Sequence, residues 1–448
     1  MVKEYDLLVI GTGTGGSIAA SKCKEAGWSV AIIDDRPFGG TCSQRGCDPK
    51  KVLVGIAELT DWNERMYDKG VRTAARFDWR NLMEFKRTFT ATIPQNTEEK
   101  FKKLGVDSYH GKAVFYSENE LKVGSELLKG KYILIATGAE PIEMGIGGEE
   151  YLRASDEFLK LEELPKRIVF VGGGFISFEF AHIAARAGSE VHIVHRSERV
   201  LKHFDPDLVD LLMERSKEVG IQVHLEVSVD AIEKRGDSFV VKGKQNEKEL
   251  EWETDLVVHG AGRTAALDME LDRGNVERDK KGVRVNEYMQ SVSNPYVYAA
   301  GDAASTDGPP LTPIAKAESL LVAANLLEGN YEKAKYPVIP SVVFTVPKLA
   351  SVGMSEQQAK KSGLDFHVEY QNTTDWFTYK RTNESAAAFK VITDQEEGVV
   401  LGAHLLSEEA DELINFFALA IRFKLSLQEL KDMPFAYPTS ASDISYMI

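Results

Sequence analysis

Cysteine is scarce in this chain: three among 448 residues. So few cannot knit a secreted disulfide framework. In a reducing compartment a close thiol pair is therefore redox-active or metal-binding before it is a structural staple. No run of about 18 apolar residues occurs, so no membrane-spanning helix is expected. Positive charge is in deficit, with 54 Lys and Arg against 69 Asp and Glu and a formal net charge of −15. That balance argues against a nucleic-acid coat, yet permits a local basic pocket. The opening stretch "MVKEYDLLVIGTGTGG" runs into glycines after too short an apolar segment for a signal peptide, so a cytoplasmic protein is expected. Low-complexity segments and long linkers are lacking too. The length allows about two to four domains with substantial cores.

Glycine, by contrast, is clustered. "YDLLVIGTGTGG" reads as a buried strand and a glycine turn, "SIAASKCKEAG" as a helix ending at Gly27, and "WSVAIIDD" as a second strand. Gly11, Gly13 and Gly16 form G-x-G-x-x-G. Gly11 permits the tight turn, Gly13 lets backbone approach a pyrophosphate, and Gly16 lets helix and strand pack closely. The helix N-terminus offers free N–H groups to phosphate. Asp34 ends the second strand, where an acid bonds a ribose hydroxyl. The pattern returns at "RIVFVGGGFISFEFAHIAARAGSEVHIVHR", with Gly172, Gly174 and Ser177 in the small positions. The second copy ends in His195 and Arg196 instead of an acid. Cations there, joined by Lys202 and Arg199, suit the 2′-phosphate of NADPH better than the free hydroxyl of NADH. After "LLEGNYEKAKYP" the strands "SVVFT", "AFKVIT" and "GVVLGAHLL" and the helix "EEADELINFFALAIRF" read as a separate α+β domain.

"GGTCSQRGCDPKK" holds Cys42 and Cys47, five positions apart. On one regular helix that spacing is a rise of about 7.5 Å. A disulfide wants Cα atoms about 4.4–6.8 Å apart. The two sulfurs can bond only if the helix start is distorted, and Gly46 offers that freedom. As a zinc site the pair is poor, since no C-x-x-C or paired His lies near. Cys23 reads as a small buried helix residue. A pair of inert reduced thiols is the plain alternative.

This segment resembles the redox signature of the pyridine nucleotide-disulfide oxidoreductases, the flavoprotein family of glutathione reductase, dihydrolipoamide dehydrogenase and mercuric reductase. The resemblance covers nearly the whole chain. "YILIATGAEP" (Thr137, Gly138), "HGAGRT" (Gly262, Arg263), "VYAAGD" (Gly301, Asp302) and "LTPIAKAE" (Thr312, Ala315) match further family segments. It implies bound FAD, held also by Gly40 and Thr41, with Asp302 on the ribityl chain. It implies that NADPH delivers hydride to one flavin face and that a Cys42–Cys47 disulfide receives two electrons on the other. Cys47 would be the thiol beside the flavin and Cys42 the outer, interchange thiol. Lys50 and Glu179 would pair beside flavin N5, and Phe175 would gate the nicotinamide pocket. A homodimer is implied, because the family builds each active site from both chains.

The resemblance has gaps. The family's C-terminal H-P-T-x-x-E supplies an acid/base His and its orienting Glu, but here "AYPTSASDI" puts Tyr437 and Ser442 in those places, with Asp443 one further on. A phenol, with a pKa near ~10, donates a proton well but is a poor base at neutral pH. Ser21 stands where glutathione reductases usually place an arginine, which weakens glutathione disulfide as substrate. The chain ends "SYMI", without the second cysteine pair of mercuric reductase, which argues against high-affinity soft-metal capture. Arg45 and Asp48 depart from the usual apolar residues of the signature. The leading expectation is therefore an NADPH-dependent reductase of a small-molecule or protein disulfide. Reduction of a quinone, oxygen or a metal ion is an alternative, and so is a non-catalytic redox sensor. No resident metal is expected. The expected fold is α/β, with two Rossmann-like dinucleotide-binding domains and a C-terminal α+β dimerisation domain. The expected segments are 1–147 for the first FAD part, 148–261 for NAD(P)H, 262–332 for the second FAD part, and 333–448 for the interface.

Overall fold

The computed structural model describes residues 2–448. By packing, the chain separates into two compact units. One comprises Met1–Lys50, Glu84–Ile142 and Gly262–Tyr336; the other Lys51–Met83, Glu143–Ala261 and Pro337–Ile448.

The first unit grows from strand β1 (Lys3–Ile10), helix α1 (Thr14–Glu25) and strand β2 (Val30–Asp34). Leu7, Leu8 and Val9 on β1 are wholly buried, the mark of a parallel strand covered on both faces. β1 pairs parallel with β2, setting Leu7 against Val30 and Ile10 against Ile33. On its other side it pairs parallel with Glu126–Ile135, which in turn takes Val297–Ala299 as a parallel neighbour. The seven-stranded sheet is completed by Asp107–His110 beyond β2, and by Glu120–Val123 and Ala113–Ser117 in antiparallel array. The short helix α2 (Gly40–Arg45) and the long helix α3 (Cys47–Arg65) follow β2; α3 starts in this unit and passes into the second after Lys50.

The second unit repeats the βαβ plan. Its four-stranded parallel sheet runs Ile221–His224, Glu190–Val194, Arg167–Val171, Leu256–His259. Helix Phe175–Arg186 links the middle two strands. A three-stranded antiparallel sheet, Ser228–Thr254, lies in the chain between Ile221–His224 and Leu256–His259. The C-terminal residues form a five-stranded antiparallel sheet whose centre is Val400–Ser407, flanked by Ala388–Asp394 and Lys348–Gly353. Helix Ala410–Phe423 buries Leu413, Ile414 and Phe417 against Ala350, Val391 and Leu405 of that sheet. The architecture is the expected α/β one, with two dinucleotide-binding βαβ sheets and a C-terminal α+β part. Among the described residues no helix is long and apolar enough to cross a membrane.

A buried charge cluster organises the second unit. Asp61 on α3 is only 1% exposed. Its carboxylate accepts from Arg65 Nε at 2.7 Å, Arg186 Nη2 at 2.6 Å and Arg215 Nη2 at 2.9 Å. Burial pushes the Asp61 pKa up, but the guanidinium groups of Arg186, Arg215 and Arg65 together hold it below the usual carboxylate range. Removing one partner of a buried ion group strands the others, at a cost of about 3–5 kcal/mol. Asp61→Asn is accordingly expected to lower the melting temperature at pH 7 by roughly 10 °C, measured by scanning calorimetry. Because the folded-state pKa is depressed, the Asp61 contribution is complete above its ordinary value of about 3.9 and is lost as pH falls through the lower one. An Asn variant as stable as the parent would show that α3 is not held this way.

Candidate active site

The first glycine turn closes over the end of β2. Gly11 N–H donates to Ile33 O at 2.8 Å, and its φ of +107° is one that glycine adopts freely. A Cβ at Gly11 would lie 2.2 Å from Ala136 O, and one at Gly16 would lie 2.1 Å from Gly11 O. Thr12 ties the turn to its surroundings: its N–H and Oγ1 both donate to Asp34 Oδ2, at 2.8 and 2.6 Å, and its Oγ1 accepts from Gly39 N–H at 2.9 Å. Asp34 thus braces the loop it was expected to serve from the ribose side. Thr12 was not singled out from the sequence, since nothing in the motif distinguishes its position.

The turn entering α2 faces the first one. Gly40, with φ of +75°, would place a Cβ 2.3 Å from Gly13 Cα, so the two backbones meet with no side chain between them. Phe38, wholly buried and edge-on to Phe101, anchors this approach, and Gln44 Nε2 donates back to Phe38 O at 2.8 Å. Thr41 is exposed one residue further on.

Gly46 interrupts the helix between the cysteines. A Cβ there would sit 3.0 Å from Thr41 O and 3.3 Å from Cys42 Cα. α2 therefore ends at Arg45 and α3 begins at Cys47. The cysteines are free thiols, and Cys42 and Cys47 are hydrogen-bonded to each other. Cys47 Sγ also lies 3.9 Å from Thr312 Oγ1, at the start of helix Thr312–Glu328, and Cys42 Sγ lies 4.0 Å from Asp48 Oδ1. The Cys42 pKa is raised far above its usual value, first by the bond to Cys47 and then by burial, with the Cys47 and Asp48 charges adding and Thr312 opposing. Thr312, expected as a cofactor contact, stands against the thiol pair. Cys23 is wholly buried and its thiol is pushed up to about 12 by desolvation, in keeping with an inert helix residue.

Gly301 and Asp302 follow the strand Val297–Ala299. Gly301 has φ of +67° and backs onto Ala315, whose Cβ would be 3.2 Å from an added one. Burial raises the Asp302 pKa, with Arg263 pulling the other way. The segment is held from below by Glu318, 2% exposed, which accepts from Gly301 N–H at 2.7 Å, Thr306 Oγ1 at 3.0 Å and Tyr336 Oη at 2.7 Å. The sequence reading passed over Glu318; an acid on a largely apolar helix was the available signal. Thr137 Oγ1 is buried without a protein partner, beside Gly138 with φ of +73°. Gly262, with φ of +128°, precedes the strand Arg263–Ala265 that pairs with Ala139–Pro141. An orphaned buried hydroxyl, a desolvated carboxylate and two glycine turns in backbone contact at the start of α1 fit a bound dinucleotide.

The second unit repeats the turn closely. Gly172 N–H donates to Val194 O at 2.9 Å, its φ is +109°, and its added Cβ would lie 2.3 Å from Gly260 O. Gly174 precedes helix Phe175–Arg186, on which Phe175 is exposed and Ser177 fully buried. Arg196, Arg199 and Lys202 are exposed just past Glu190–Val194, and Lys202 Nζ donates to Ser197 Oγ at 3.1 Å. His195 differs from what was expected of it. Its Nδ1 accepts from Gly173 N–H at 3.0 Å and its Nε2 donates to Arg199 O at 2.9 Å, while burial lowers its pKa. It offers no cation to a phosphate. Lys50 is buried in the first unit; Glu179 is buried in the second, where Oε1 accepts from Phe344 N–H at 2.9 Å. Tyr437, also in the second unit, is 83% exposed.

A family profile described as "Pyridine nucleotide-disulphide oxidoreductase" matches residues 5–319, and its dimerisation-domain counterpart matches 339–448. A mercuric reductase of Staphylococcus aureus is 32% identical over 98% of this chain and 81% of its own length. An uncharacterized 19.7 kDa protein in a mercuric resistance operon of the same species is 66% identical over 40% of this chain and the whole of its own. Among solved structures, the Cu(II) complex of the HOCl-induced flavoprotein disulfide reductase RclA from Escherichia coli superposes with a TM-score of 0.88 at 26% identity, covering 100% of this chain and 99% of that one.

The contact between the two glycine turns makes a direct demand. Gly40→Val is expected to yield folded protein with less than about a tenth of the parent's flavin absorbance near 450 nm per chain. Gly55→Ala, where an added Cβ meets nothing within 4 Å, is the control and retains it. Full flavin content in Gly40→Val would mean that this contact does not shape the cofactor's site.

Proposed function

The chain belongs to the pyridine nucleotide-disulphide oxidoreductase family, and we propose that within it the protein is an NADPH-dependent reductase of thiophilic metal cations acting through Cys42 and Cys47. Members are FAD-dependent enzymes with NAD(P)H as electron donor. Bound FAD supplies a two-electron carrier between the nicotinamide and the thiol pair. Gly11, Gly13 and the N-terminus of α1 receive its pyrophosphate, Asp302 its ribityl hydroxyls, and Thr137 and Gly138 line the same place. Arg196, Arg199 and Lys202 favour the 2′-phosphate, hence NADPH over NADH. Lys50 keeps the role the family resemblance gives it, a positive charge that favours reduced flavin. A homodimer completes the reading, supported by the matched dimerisation domain and by Phe423 and Tyr446, which are 68% and 72% exposed.

The choice of acceptor rests on Asp48, whose carboxylate stands 4.0 Å from the Cys42 sulfur. Beside the attacking thiol it attracts cations and repels anionic disulfides. For a divalent ion at 4 Å in water the attraction is about 2 kcal/mol. Sulfur ligands then hold a thiophilic cation. A disulfide acceptor, in contrast, releases a thiolate that must be protonated, and with no histidine after His404 that task falls to Tyr437. A cation has no such leaving group. The balance closes: two thiols form the Cys42–Cys47 disulfide, releasing two electrons and two protons, and two Cu(II) ions each accept one electron to become Cu(I). The similarity to mercuric reductases and to a copper complex supports this class of acceptor. A small disulfide is the second reading, favoured by Tyr437, whose exposed hydroxyl can protonate a leaving thiolate.

Anaerobic assays with NADPH should separate them. Cu(II) reduction, followed by a Cu(I)-specific chelator, is expected to exceed turnover of glutathione disulfide or lipoamide. Asp48→Asn is expected to raise the KM for Cu(II) by about tenfold, a change of about 1.4 kcal/mol, and Cys42→Ser to abolish turnover. Faster disulfide turnover, indifferent to Asp48→Asn, would overturn the metal reading.

A further inference from the structure

The residue that replaces the acid at the end of the second nucleotide-binding strand is fully engaged by its own loop. We propose that His195 is the positioning residue of this site: its neutral imidazole splints the glycine turn Gly172–Gly174 to the segment carrying Arg196, Arg199 and Lys202, without itself touching the nucleotide. The inference rests on the reading that NADPH binds at this turn.

The two turns of the chain supply the argument. In the first unit the N–H of Thr12 is received by the side chain of Asp34, 22 residues later. In the second, the N–H of Gly173 is received by the side chain of His195, also 22 residues later. The imidazole has taken over the bracing bond of the carboxylate at the same spacing. It adds a bond that a carboxylate cannot make, because Nε2–H donates to Arg199 O at 2.9 Å. One ring thereby spans the glycine turn and the cationic loop. Backbone bonds close the clasp: Leu201 N–H to Gly173 O at 3.1 Å, His195 N–H to His224 O at 2.8 Å, and Val227 N–H to His195 O at 2.9 Å. Gly173 must lack a side chain for the ring to lie there, since a Cβ would come 2.8 Å from His195 Cγ and 2.5 Å from Val200 Cγ1.

This assigns the tautomer: a lone pair on Nδ1 and the proton on Nε2. Protonating Nδ1 would set two N–H groups against each other and break the splint. Burial disfavours that protonation most, and the charges of Lys202 and Arg196 oppose it further, while the Arg199 carbonyl favours it. With its pKa lowered, the ring is neutral at pH 7, and the splint is lost only as pH falls through that lowered value. Specificity follows as well. The Nδ1 lone pair is spent on Gly173, so this position gives the 2′-hydroxyl of NADH no acceptor, and discrimination falls to the three cations alone.

The test uses the flavin-loaded protein and 2′,5′-ADP as probe, titrated calorimetrically from pH 5 to 8. Asn presents an oxygen where Nδ1 stood but does not titrate. His195→Asn is expected to bind within about threefold of the parent at pH 8, and His195→Ala at least tenfold more weakly. The 2′-phosphate itself titrates near ~6 in every variant. The parent must therefore lose more affinity on acidification than His195→Asn does. Nitrogen-15 spectra of the imidazole should show the Nε2–H tautomer at pH 7. Unchanged binding in His195→Ala, superimposable acid profiles for parent and Asn variant, or an Nδ1–H tautomer would overturn the proposal. Should 2′,5′-ADP bind no variant, the NADPH reading fails, and the tautomer spectrum still decides for or against the splint.

Discussion

Two sulfurs five residues apart meet because one helix stops and another starts between them. Had α2 continued unbroken, its rise would have carried Cys47 out of reach of Cys42. Gly46 ends it, where an added Cβ would press tightly on Thr41 O and Cys42 Cα. The contact that results sets everything around it. Thr312 can touch Cys47, Asp48 can reach Cys42, and Lys50 falls one turn into α3, all because the second helix begins at the cysteine itself. A single backbone constraint thus creates the redox pair and its electrostatic surroundings together.

The chain solves the same problem twice with different chemistry. Each glycine turn leaves one backbone N–H in need of an acceptor near the end of the following strand. Asp34 supplies a charged acceptor in the first unit and His195 a neutral one in the second. A carboxylate would cancel part of the positive field of Arg196, Arg199 and Lys202. A neutral ring braces the turn and leaves that field intact.

Net charge says little about either end of the electron path. The protein is strongly acidic, yet its second nucleotide loop presents cations, and its outer thiol lies beside an anion. At separations of a few ångström a neighbouring group outweighs the screened sum of distant charges. The local arrangement therefore sets the field at each place.

Much of this was legible from the chain alone. Strand and helix periodicity, the two glycine turns, the need to break the helix at Gly46, and the change of texture after Tyr336 all rest on interactions between near neighbours in sequence, which local residue types report directly. The sequence also marked Asp48 and Tyr437 as departures without explaining them. What the tertiary structure alone decided involves partners far apart along the chain. Thr312 reaches the thiols across more than half the chain, and Asp61 gathers Arg186 and Arg215 from two helices beyond its own. His195 read as a cation in sequence because histidine can carry charge; folding gave both ring nitrogens a backbone partner and removed that charge by burial. Local propensity is written in order along the chain. Desolvation and hydrogen-bond pairing depend on which distant groups arrive, and only the folded structure determines that.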